Sequence, residues 1–327
     1  MWPHSCDARY NPAMEYTLER TLPFDDFVNA LTISPDGALL AVATRDKRVP
    51  NHVIDLRDGS PRTAPRSQRR GLCFGADGAL YAAGVSVERF DLTAARPGHA
   101  TLKIPGHKKG LTTCLPSPDG RWIAVHAHHE TLQLWHLAGA APALRGSWSA
   151  LATGRYFFRA DSAAFGFVAS AYDAGRRHDT LQHVALGADG TCGAPVVTAL
   201  PEGLSTYDVV LSSPLGLIAI PFPDQDLTRY DWHSLRPHRL GVEAVKASTM
   251  RCDLALSPDG TFAVVQPVTP ARRPWSLQVV SLSDGTVIAR VVLGDVSAAM
   301  LALAPGGRRV ACVPSDGTRE VRVYAPG

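Results

Sequence analysis

The 327-residue chain carries 33 Lys and Arg against 30 Asp and Glu, a net charge of +3 that by itself marks neither a nucleic-acid nor a membrane binder. Hydrophobic residues make up 45% of it, enough for a packed core, which excludes bulk disorder. Its 28 Gly and 25 Pro imply many turns, and long runs of helical periodicity are missing.

The chain opens with "MWPHSCDARYNPAMEY", in which no apolar segment follows a basic start, so no secretory signal is expected. Residues 1–14 read as a tail. Next, "EYTLERTLPF" at 15–24 reads as a strand with no hairpin partner beside it. The turn "SPDG" then recurs, in "SPDGALLAV" at 34–42, "SPDGRWIAV" at 117–125 and "SPDGTFAVV" at 257–265. Pro presets φ, Asp bonds its own backbone and Gly tolerates positive φ, so each copy is a tight turn between strands.

With the turn's Asp as anchor, Asp36, Asp77, Asp119 and Asp161 are spaced by 41, 42 and 42 residues. The series continues, less regularly, through Ser213-Pro214-Leu215-Gly216, Asp259 and Ala304-Pro305-Gly306-Gly307. The long step after Asp161 needs an insertion, for which "YDAGRRHDT" and "LGADGTCGAP" are candidates. The third unit shows the internal plan: "GLTTCLPSPDG" runs into the turn, "RWIAVHA" leaves it, "TLQLWHL" follows, and "ALRGSWS" is a weaker fourth strand. Four strands every 40–45 residues is the period of a propeller blade, and such sheets must stack in a ring to bury both faces.

Gly106-His107, the Ser-Pro-Asp-Gly turn and Trp135-His136 make this unit resemble a WD repeat. Ile54-Asp55, Phe90-Asp91 and Tyr230-Asp231 close the third strands of other units in the same way, and Val323-Tyr324 is a degenerate version. Asp46, Asp173, Asp224 and Asp316 stand where that family usually places an Asp after the second strand. His129 replaces it in the third unit, so the family's His–Asp–Ser/Thr–Trp network is mostly absent and packing must hold the blades rigid. The expected fold is all-β: a single seven-bladed β-propeller over 15–327, built of four-stranded antiparallel blades. After the last turn only two strands' worth of chain remains, so the strand at 15–24 is expected to complete the last blade and close the ring.

No GxSxG, GxxxxGK[ST], GxGxxG or HExxH motif occurs, so no catalytic residue and no cofactor are assigned. His126 and His128 alternate on one strand near His129 and His107, a spacing that suits a divalent metal, but a Trp135 or backbone hydrogen bond explains them better and no metal is expected. The pairs Asp25-Asp26 and Asp224/Asp226 read as solvated loop carboxylates, and Trp122, Trp135 and Trp232 as blade packing. The six cysteines form no CxxC, and Cys73, Cys114 and Cys252 read as core residues of inner strands. The longest apolar stretch, Leu211–Phe222, is broken by Ser, Pro and Gly and is too short to span a bilayer. No membrane association is expected, and a thiol-reduced, cytoplasmic setting is.

Basic residues interrupt the strand pattern in "RDKRVPN", "RSQRRG", "GHKKG", "DAGRRHD" and "ARRPW". On the four-strand plan Arg45, Lys47, Arg48, Arg69, Arg70, Lys108, Lys109, Arg176, Arg177, Arg272 and Arg273 fall in loops after the second strand or before the first. Both loop types emerge on one face of a propeller. The resemblance implies a non-catalytic scaffold or adaptor within a larger complex, and this face suits an acidic segment of a protein partner. Nucleic acid ranks lower, because the basic segments lack interleaved aromatics. The alternative is a propeller enzyme, lactonase-like or another hydrolase, with its site at the central channel.

Overall fold

The computed structural model describes residues 14–46, 51–62, 71–92, 98–102, 104, 111–127, 131–139, 141–149, 156–173, 176–200, 204, 210–221, 226–232, 234–243, 254–267 and 274–327. β1 (Met14–Pro23) comes first. β2 (Val28–Ile33), β3 (Leu39–Thr44), β4 (His52–Asp55) and β5 (Pro61–Arg62) then form the first four-stranded sheet, paired in that order. The second holds β6 (Gly71–Phe74), β7 (Leu80–Ala83), β8 (Val87–Asp91) and β9 (Gly98–Leu102). The third holds β10 (Leu111–Pro116), β11 (Trp122–Ala127), β12 (Thr131–His136) and β13 (Ala143–Ser149). β14 (Tyr156–Phe158), β15 (Ala164–Asp173), β16 (Arg176–Ala185) and β17 (Val196–Ala199) make the fourth. The fifth comprises β18 (Val210–Ser213), β19 (Gly216–Ala219), β20 (Asp226–Tyr230) and β21 (Pro237–Glu243). The remaining strands are β22 (Leu254–Leu256), β23 (Phe262–Val265), β24 (Trp275–Ser281), β25 (Val287–Gly294), β26 (Ala298–Leu303), β27 (Val310–Pro314) and β28 (Glu320–Pro326).

These last seven strands and β1 form one eight-stranded sheet, ordered β22-β23-β24-β25-β1-β28-β27-β26. β1 pairs antiparallel with β28 from Tyr16↔Pro326 to Pro23↔Glu320, as the unattached strand of the sequence requires. Its first three residues also pair in parallel with β25, from Met14↔Ala289 to Tyr16↔Val291. The architecture is therefore an all-β propeller of four-stranded antiparallel blades. Where seven separate blades are expected from the repeat, five sheets stand alone and two runs of four merge across β1. The physical reason is that β1 overhangs β28 and meets the free outer edge of β25, satisfying backbone groups that an edge would leave open.

The second strands read as continuous apolar runs, such as "LLAVAT" and "WIAVHA", because each sheet is covered on both faces. Seven apolar clusters lie among the described residues, each shared by consecutive four-strand runs. One contains Leu40, Val42 and Ile54 from the first sheet with Ala311, Val313, Val321 and Val323 from the last strands, so the two ends of the chain share a core. The insertion after Asp161 is both a longer hairpin, β15 and β16 at 10 residues each, and a longer turn held by a Leu186↔Cys192 bridge.

Each SPDG turn is built from its own side chains. Ser117 Oγ donates to Asp119 Oδ1 at 2.6 Å, the Arg121 and Trp122 amides donate to Asp119 Oδ1 and Ser117 Oγ at 3.0 and 2.9 Å, and Gly120 adopts φ +70°. Ser34 and Asp36 repeat the pattern, and Ser162 takes the left-handed position in the fourth unit with φ +58°. Tyr16 of β1 is 6% exposed, packs in the cluster with Val279, Val291 and Tyr324, and donates its hydroxyl to Gly307 O at 2.5 Å. Replacing Tyr16 with Phe should cost about 1 kcal/mol, one buried hydrogen bond, and Tyr16→Ala about 3–5 kcal/mol. Urea unfolding midpoints check both; an alanine variant that unfolds with the parent chain would mean that β1 is not packed.

Candidate interaction face

Strand register decides which loops share an end of the molecule. Val28 pairs with Thr44, Gly71 with Ala83, and Leu111 with Ala127, so the start of each first strand lies opposite the end of the second. Arg45 follows β3 directly, is exposed, and donates its amide to Phe27 O at 2.7 Å. Arg176 and Arg177 open β16, paired with Asp173 and Tyr172 at the end of β15. Their backbone thus lies at the same end of its sheet as Arg45 does of its own. Lys47, Arg48, Arg69, Arg70, Lys108, Lys109, Arg272 and Arg273 lie outside the described residues.

The same end also carries carboxylates that the basic pattern in the sequence does not reveal. Asp25 and Asp26 precede β2, Asp46 follows Arg45, Asp295 precedes β26 and Asp316 follows β27. Asp26 accepts the Asp46 amide through Oδ2, and Asp316 Oδ1 accepts the Thr318 amide at 3.0 Å. Arg319 donates to Asp25 O at 2.7 Å and lies over the Phe27 ring. The seam between the last and first units is therefore mixed in charge.

At the opposite end the carboxylates of the repeated turns are tied up locally. Arg121 pairs with Asp119 at 2.6 Å, Arg159 with Asp161 at 2.7 Å and Arg89 with Asp77 at 2.8 Å. Burial alone would raise Asp36, Asp119 and Asp259, but their serine and backbone hydrogen bonds carry each below its ordinary value. Asp55, at the end of β4, is 1% exposed beneath two exposed arginines. Hydrogen bonds from Arg57, then Arg62, hold its carboxyl well below the usual range.

The remaining candidates are structural where they are described. Thr112 Oγ1 lies 3.1 Å from His126 Nδ1, while His107, His128 and His129 fall outside the described residues, as do Asp224 and Cys252. Trp122 is 1% exposed and packs on His136, Trp135 Nε1 donates to Gln133 Oε1 at 3.0 Å, and Trp232 Nε1 donates to Ser213 O at 3.2 Å. Among the described residues no group of three or more His, Cys, Asp or Glu could hold a metal ion, and no helix is long and apolar enough to cross a membrane.

Repeated four-stranded blades, SPDG turns and an N-terminal strand paired with the last one define a propeller built from sequence repeats. Residues 16–49 and 98–136 match the family model described as WD domain, G-beta repeat. A protein of Synechocystis sp., described as an uncharacterized WD repeat-containing protein, is 30% identical over 125 residues. That stretch covers 37% of this chain and 35% of the relative, so the match spans about a third of that protein's length. Two stretches of the chain thus resemble WD repeats, set in a β-propeller of four-stranded blades.

The depressed carboxylates carry a pH consequence. Their native values lie below the unfolded ones, so they stabilise the fold above the unfolded carboxylate range of about 4, and that contribution is lost as pH falls. The melting temperature should therefore drop from pH 5 to pH 3. Asp55→Asn should cost about 1.5–3 kcal/mol at pH 7 and flatten this dependence, because its arginine partners remain solvated. A variant with the parent's acid profile would remove Asp55 from the account.

Proposed function

We propose that this protein is a non-catalytic interaction scaffold, a seven-bladed propeller in which β1 joins two blades of the eight-stranded sheet. Its basic loop face takes an acidic segment of a protein partner. The observation that carries this reading is the register. The ends of second strands lie opposite the starts of first strands, where Arg45 and the backbone of Arg176 and Arg177 stand, and in the sequence the other basic segments flank the same strand ends. WD repeats are general protein-interaction modules, which favours a protein over a small molecule as the ligand. The mixed charge of the seam narrows the face. Arg45 is followed by Asp46, whose amide donates to Asp26, so carboxylates share its loop end, whereas Arg69, Arg70, Lys108 and Lys109 follow one another in adjacent units. The second and third units therefore form the centre of the proposed face.

Single exposed pairs are weak, so binding should need several units together and should fall steeply with salt. The test uses a fluorescent Asp/Glu-rich peptide titrated with the intact chain at low and moderate ionic strength. Reversing Arg69, Arg70, Lys108 and Lys109 to Glu should weaken binding by roughly tenfold or more at low salt, with the parent's circular dichroism retained. Reversing Arg45 alone should change it less than about twofold. Equal affinity for the quadruple variant, or tighter binding to a single-stranded oligonucleotide than to the peptide, would overturn the proposal.

A further inference from the structure

The innermost strands of the second and third sheets come unusually close. A Cβ added at Gly71, the first residue of β6, would lie 2.5 Å from Thr112 O and 2.9 Å from Thr113 Cα of β10. Only a residue without a side chain lets the two backbones meet there. Two positions along β6, Cys73 Sγ donates to Cys114 O at 3.2 Å across this junction. Both cysteines are free and belong to one apolar cluster; Cys114 is 6% exposed, while Cys73 keeps accessible surface. On the other side of β10, the Thr113 and Tyr156 hydroxyls hydrogen-bond and tie in β14 of the fourth sheet. The cysteine pair is thus held between strands braced from both sides.

The Cys114 side chain, and after it burial, raises the Cys73 thiol well above its ordinary value. Cys312 differs: burial pushes it up to about 12, with Arg322 and Glu320 rather than a thiol beside it.

We propose that Cys73 and Cys114 are a modification site, forming a reversible disulfide between the second and third units by exchange with a small-molecule disulfide. The more accessible Cys73 gives up its proton and its thiolate attacks one sulfur of the small disulfide. The S–S bond breaks, and the first small thiolate leaves and takes up a proton. Cys114 then loses its proton and attacks the Cys73 sulfur of the mixed disulfide, expelling the second small thiol. Two protein thiols are oxidised and one disulfide is reduced to two thiols. Because the attacking species is the thiolate, the raised Cys73 makes the first step slow at neutral pH and faster in base. The cross-link would tether residues 41 positions apart in the chain.

The test incubates the folded, intact chain with 2-hydroxyethyl disulfide, traps remaining thiols with iodoacetamide and maps the digest by mass spectrometry without reduction. A Cys73–Cys114 peptide, lost on adding dithiothreitol, is expected, and its rate of formation should rise roughly tenfold from pH 7 to pH 8. In Cys114→Ser, Cys73 should instead retain a hydroxyethylthio adduct; in Cys73→Ser, Cys114 should stay unmodified in the folded chain. Separate adducts on both residues, two alkylated thiols, pairing of either with another cysteine, or a cross-link that appears only in urea would each overturn the proposal.

Discussion

A four-stranded sheet with apolar faces is stable only when both faces are covered, and in a ring of such sheets the last must meet the first. In this protein that constraint falls on one segment. β1 stands ahead of the first repeat in sequence, yet in space it is the outer neighbour of β28. Once there, it brings Leu22 and Phe24 against the core shared by the first and last sheets, and Tyr16 against the core on the other side of β28. Every other unit is built from consecutive strands, so its formation is local. Joining β1 to β28 is the step that spans the whole chain, and its loop-closure entropy must be offset by the two cores it completes.

Much of this was readable in advance, for a physical reason in each case. The SPDG turns announce themselves because Ser, Asp and Gly perform separate tasks there, and the structure uses all three at Ser117, Asp119 and Gly120. The unattached strand at the N-terminus and the missing strand at the C-terminus were complementary by simple counting. The parallel contact of Met14–Tyr16 with β25 had no such signal, since it depends on how far one outer strand overhangs its neighbour. The carboxylates at the loop end were legible one by one, but their meeting was not. Asp25 and Asp26 share one loop and Asp46 lies in another, and the pairing of β2 with β3, with the Asp46 amide on Asp26, brings them together.

The weak WD signature has a structural counterpart. Trp135 donates its indole N–H to Gln133 on its own strand, two residues away, so here it links no serine or threonine of a neighbouring strand. Rigidity in that region comes from aromatic packing: Trp148, Phe165 and Phe167 stack in tilted contacts between the third and fourth sheets, with centroids 5.0–5.9 Å apart. Such contacts are tolerant of sequence change, which suits units that have drifted from one another while keeping the same turn. It also leaves the loop ends free to vary, and loops on a rigid scaffold are where binding specificity is set.

The central claim is that β1 holds the ring shut, and two truncated chains test it. Removing residues 1–12 leaves β1 (Met14–Pro23) whole and should not move the urea unfolding midpoint. Removing residues 1–24 strips the outer strand from β28 and should cost about 4 kcal/mol or more, a large part of a typical domain's stability. Amide exchange across β28 (Glu320–Pro326) should quicken in the same variant. A chain lacking residues 1–24 that unfolds at the parent's midpoint, with β28 still protected, would contradict the account.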